Sequence, residues 1–212
     1  MPQRTLQHVL DNFRQTLGDC RNFAADAYKW SLPGASPRIT KKRLEAIAEL
    51  VFLRGVLAWE IFLEESFVLY LLGRTPPRGR TPKRFTFPPS KELAEEWVIP
   101  EGRPYAAWDA VAVSTRAERF FRNGRPFTAA LRGSQSVLDE MRIIRNAIAH
   151  KSKSARLKFE NLVRTRLGTL PPMTSVGRFL EVTIPGSSPP SSFLDYYFNR
   201  IALVAEQIVP PR

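Results

Sequence analysis

The sequence predicts an all-α fold: a helical bundle with an inserted helical and loop region and one short strand near the C-terminus. Three observations carry this. Apolar residues recur at three- and four-residue steps over long stretches. All 18 prolines fall outside those stretches, where a missing backbone donor does no harm. The 212 residues are 43% hydrophobic and 25% charged, enough apolar material for a packed core and too little charge for global disorder.

The first helix is expected from about Thr5 to Trp30, where Leu6, Val9, Leu10, Phe13, Leu17, Cys20, Ala24 and Ala27 form one stripe. Ser31-Leu32-Pro33-Gly34 ends it. A longer, more apolar helix follows from Thr40 to Gly73, capped by Thr40 and stopped by Gly73 with Pro76 and Pro77. A helix that apolar needs partners on more than one side, from this chain or a second subunit. Arg74 to Pro89 is rich in proline and carries Arg74, Arg78, Arg80, Lys83 and Arg84 with no acid. It reads as a loop, either simply solvated or touching RNA phosphate. Helices are expected next over Lys91 to Val98 and Tyr105 to Phe121, before Asn123-Gly124-Arg125-Pro126 breaks the chain. The following helix runs from Ser134 towards His150, on Val137, Leu138, Met141, Ile144 and Ile148. A further helix is expected over Ala155 to Leu167, a short strand over Arg178 to Ile184, and a last helix over Phe193 to Val209. Trp59, Trp97 and Trp108 read as packing residues.

The net charge is +12, from 32 lysines and arginines against 20 acids. Such a surplus favours polyanions, because cations that neutralise phosphates release counterions. Nucleic acid is the first expected partner, ahead of an anionic membrane surface and an acidic protein; a basic surface kept for solubility is the bland alternative. The single cysteine, Cys20, rules out an internal disulfide and fits a reducing compartment. Met1-Pro2-Gln3-Arg4 does not open a secretory signal. Within Leu44 to Leu72 the longest apolar run, Phe67 to Leu72, is far short of the roughly 18 residues a bilayer requires. A soluble, cytoplasmic protein with no membrane association is expected.

Two histidines, His8 and His150, and one cysteine cannot build an ordinary zinc site, and no phosphate-binding glycine loop or dinucleotide fingerprint is present. No metal and no cofactor is expected. What remains is Arg142-Ile143-Ile144-Arg145-Asn146-Ala147-Ile148-Ala149-His150. On a helix Arg142, Asn146 and His150 are four apart and share a stripe, with Arg145 on its flank. Arginine forks onto phosphate and stabilises developing charge. Histidine moves protons near neutral pH. Asparagine orients either neighbour without adding charge. Lys151, Lys153, Arg156 and Lys158 extend the cationic surface. The same spacing also fits a helix-terminal histidine at a C-cap among surface arginines.

The string from Arg145 to His150 resembles the Arg-polar-x-x-x-His signature of HEPN domains. The aromatic-rich run Leu57 to Glu65 and the Pro126-Phe127 and Gly177-Arg178-Phe179-Leu180 segments resemble one prokaryotic branch of that family. The helix pattern places an insertion at 74–132 within a single domain over residues 1–212, a departure from the minimal HEPN bundle. The resemblance implies a metal-independent endoribonuclease in which the RNA 2′-hydroxyl attacks its own phosphate. Arg142, Lys151 and Lys153 read as substrate-binding cations from the charge pattern itself, with Arg142 equally a plain surface residue of the stripe; the resemblance would have Arg145 hold the phosphate, His150 transfer protons and Asn146 position the pair. It further implies a homodimer with a shared site, acting as a toxin or in phage defence, with an antitoxin or a nucleotidyltransferase-like partner. The alternative is a non-catalytic HEPN module that binds nucleotide, RNA or a protein.

Overall fold

The computed structural model describes residues 4–36, 38–150, 152–172 and 174–212. All regular structure among them is helical: α1 Leu6–Ser31, α2 Lys41–Leu71, α3 Lys91–Val98, α4 Ala110–Phe120, α5 Phe127–Arg132, α6 Gln135–Ala149, α7 Lys153–Leu167, α8 Val176–Glu181 and α9 Phe193–Ile208, with a 3-10 turn at Arg122–Gly124. Two isolated antiparallel bridges, Arg84–Phe121 and Thr183–Ser192, are the only extended pairings among the described residues. The expected all-α helical bundle is therefore observed. No helix among the described residues is long and apolar enough to cross a membrane. The chain divides into two compact units, one of Met1–Gln15, Ala58–Gln135 and Ile201–Arg212, the other of Thr16–Leu57 and Ser136–Arg200.

The first unit is built on aromatic rings. Phe13 packs against Trp59 and Phe62, with centroids 5.9 and 5.1 Å away. Phe67 meets Phe121 and Phe127 at 5.1 and 5.0 Å. Edge-to-face and offset contacts of this kind add to the area they bury. The Tyr70 hydroxyl donates to the Ile208 carbonyl at 2.6 Å, and burial holds its phenol well above the ordinary range. Arg84 closes the end of α2 by donating to the Leu71 carbonyl at 2.7 Å, satisfying an acceptor the helix leaves open. The proline-rich segment forms no helix. It is pinned by Phe85 N–H to the Phe120 carbonyl and Arg122 N–H to the Lys83 carbonyl, both 2.9 Å.

Helix α4 starts at Ala110, later than the apolar pattern suggested, because Asp109 accepts from the Val111 and Ala112 amides and sets the N-cap there. Helix α5 was not anticipated. It follows a turn in which Asn123 and Gly124 both take positive φ, 57° and 64°. A Cβ on Gly124 would collide with the Thr128 hydroxyl. Trp59 is buried, but Trp97 is 41% exposed and departs from the packing reading.

In the second unit a ladder of rings, Phe159, Phe179, Phe193 and Tyr197, links α7, α8 and the start of α9. The strand expected over Arg178 to Ile184 is corrected here: its first half is helix α8. Ser175 accepts from the Arg178 amide as N-cap. Val176, Phe179 and Leu180 are buried at helical spacing. Glu49 on α2 takes the Gly177 amide at 3.0 Å, and Glu45 takes the Ser175 hydroxyl at 2.7 Å. Two carboxylates thus stand at the positive end of α8. Only Thr183 retains extended pairing, with Ser192.

Candidate functional site

Helix α6 buries Val137, Leu138, Met141 and Ile144, so the opposite stripe is left to polar side chains. Arg142 and His150 on that stripe are exposed and Asn146 is half-buried. The His150 amide still donates to the Asn146 carbonyl at 2.8 Å, which carries the helical repeat one residue past the end of α6. Arg142 is paired with Asp139, one turn back, at 3.3 Å.

Helix α7 starts close by. Ser152 is its N-cap, accepting from the Ala155 amide at 3.2 Å. The amino end of a 15-residue helix carries unpaired amides and a partial positive charge, both favourable to an anion. Arg142 and Asn146 from α6, His150 just past its end, and Ser152, Ser154 and Lys158 from the α7 side line one cleft of about 230 Å³. That space suits a single phosphodiester group with its neighbours.

Not every candidate residue reaches the cleft. Arg145 is half-buried outside its lining and donates to the Asn146 side-chain carbonyl at 3.3 Å. It is therefore placed to fix the asparagine amide. Lys153 opens α7 but stands outside the lining, and Lys151 lies outside the described residues. Ser152 and Ser154 were missed by sequence reasoning, although a serine three residues before Ala155 is a recognisable N-cap signal.

A second group missed in the sequence holds α6 in place. The Glu140 carboxylate receives Arg166 Nε and Nη2 at 3.0 and 2.8 Å and the Tyr197 hydroxyl at 2.9 Å. Burial lowers the affinity of Arg166 for its proton, but Glu140 outweighs it and the net shift is upward. Burial and Glu140 both push the Tyr197 phenol upward. The helix bearing the candidate motif is thereby tied to α7 and α9 by charge-assisted bonds. No group of three or more histidine, cysteine, aspartate or glutamate side chains among the described residues could hold a metal ion. No protein-family model, curated protein or solved structure matches this chain.

Proposed function

We propose that the protein is a HEPN-type endoribonuclease that cleaves RNA without a metal. The observation that carries the reading is the cleft in which Arg142, Asn146 and His150 meet Lys158 and the amino end of α7. In the reaction the 2′-oxygen bonds to the adjacent phosphorus, the bond from phosphorus to the 5′-oxygen breaks, and the products are a cyclic phosphate and a 5′-hydroxyl. His150 moves a proton between these oxygens. Arg142, Lys158 and the α7 amides offset the charge that builds on the phosphate. Asn146, held by Arg145, orients the group. On this reading the protein acts in the cytoplasm as a toxin or phage-defence effector. Two copies share the site in a homodimer, and an antitoxin or nucleotidyltransferase-like partner restrains it.

One observation favours a second reading: Arg145, the first residue of the motif, is not in the cleft lining. A non-catalytic HEPN-like module that binds nucleotide, RNA or a protein would tolerate that position. Incubating RNA with the purified chain in EDTA separates the two. The ribonuclease yields fragments with 5′-hydroxyl ends, and His150→Ala and Arg145→Ala each reduce the rate by about 100-fold or more with the helical circular dichroism unchanged. Full activity in both variants would overturn the ribonuclease site; no cleavage by the wild-type chain would leave the binding module.

A further inference from the structure

Away from the α6–α7 cleft, the first unit has a larger recess of about 480 Å³. Its rim carries Arg78, Arg80 and Lys83 from the proline-rich segment and Arg122 and Arg125 from the turn before α5. All five are exposed, and none forms an ion pair with a described residue. No carboxylate is among the described residues that line the recess. The floor is of another kind: the half-buried rings of Pro82 and Pro126, set over the buried Tyr70, Pro76 and Ile208. The two rim segments are joined by the backbone bonds at Lys83 and Phe85, so the cations are mounted on paired chain. The same segment continues, beyond the recess lining, to Phe85 and Phe87, residues 59% and 67% exposed, with the Arg84 guanidinium over one face of the Phe87 ring at 4.8 Å.

We propose that this recess is a groove for single-stranded nucleic acid, with phosphates on the cationic rim and unstacked bases against the rings of Pro82 and Pro126 and the exposed phenylalanines. Cations tracking a backbone beside flat apolar surfaces are what an unpaired strand requires. Four of the five cations are arginine, which forks onto phosphate and stacks on bases. A bilayer surface cannot enter a concave recess, and an acidic peptide offers charge without the planar faces the floor would accept. The groove stands on its own geometry; the choice of RNA over DNA rests on the ribonuclease reading.

The test is fluorescence anisotropy with a labelled single-stranded RNA about 12 nucleotides long, using full-length His150→Ala protein so that the probe stays whole. Combined Arg78→Gln, Arg80→Gln, Arg122→Gln and Arg125→Gln, all at exposed positions, should weaken binding about tenfold or more. It should also reduce the slope of log affinity against log salt by about 3, near 0.7 for each phosphate no longer neutralised. Phe85→Ala with Phe87→Ala should weaken single-stranded RNA more than a duplex of the same sequence. Unchanged affinity in the arginine variant overturns the proposal. So does equal loss towards single strand, duplex and polyglutamate, which would mark a general anion patch. A loss confined to anionic vesicles overturns it in favour of a membrane surface. If wild-type protein cuts no RNA but the arginine variant still loses binding, the groove stands and the ribonuclease reading falls.

Discussion

Glu181 and Glu140 are both partly withdrawn from water, and their surroundings treat them differently. Glu140 has two Arg166 nitrogens and the Tyr197 hydroxyl on one carboxylate. Glu181 faces burial and the like charge of Glu45, opposed by Lys41, and its carboxyl is pushed up to about 7. A raised carboxyl means that the folded state prefers the neutral acid. Its contribution to stability is therefore fully present below the ordinary value of 4.5 and is lost as pH rises through about 7. Glu181→Gln keeps the neutral shape at every pH. The variant should melt with the wild type below about pH 4.5 and a few degrees above it at about pH 8. Thermal denaturation across that range checks the sign: a variant that melts lower at high pH would mean that the charged carboxylate is the form the fold favours.

Helix α8 shows what reading along one chain can and cannot find. Its apolar residues Val176, Phe179 and Leu180 suit a helix, but the following Val182-Thr183-Ile184 run favours a strand by composition. The decision comes from Glu45 and Glu49, about 130 positions earlier, which supply acceptors at its amino end. Helices α1, α2, α6, α7 and α9 were legible because their apolar period and their stops are local. Arg142, Asn146 and His150 were legible for the same reason, being four apart on one helix. Lys158 was visible only as a charge and Ser154 not at all, since it is the approach of α7 to α6 that brings them into the cleft. Arg145's place outside the cleft was equally hidden in the spacing. The closeness of α8 to α2 is testable at Gly177, where a Cβ would collide with the Glu45 backbone carbonyl. Gly177→Ala should cost about 1–3 kcal/mol in urea unfolding. Gly18→Ala, where a Cβ meets nothing within 4 Å in mid-helix, should gain up to about 1 kcal/mol. Equal stability of the two variants would remove the close approach.

Across all 212 residues, two opposing electrostatic effects decide how salt acts on stability. Ion pairs such as Lys29–Asp26, Lys91–Glu95 and Arg132–Glu118 are largely exposed, and pairs of that kind contribute about 0–1 kcal/mol each. Screening weakens them. Against them stands the repulsion within a chain of 32 cations and 20 acids, which screening relieves. The Debye length falls from about 30 Å at 0.01 M to about 8 Å at 0.15 M. Adding salt therefore removes long-range repulsion between separate cationic patches, while close pairs lose less. Net repulsion should win, and the protein free of RNA should melt a few degrees higher at about 0.2 M sodium chloride than at about 0.02 M. A melting temperature that falls steadily over that range would show that the ion pairs, and not the +12 charge, govern the salt response. On the proposed reading the same addition should weaken RNA binding, because the counterions released at each neutralised phosphate then enter a more concentrated solution and gain less entropy. Salt should thus stabilise the free protein while loosening the proposed hold on RNA, and melting with and without a single-stranded RNA at the two concentrations reads both effects together.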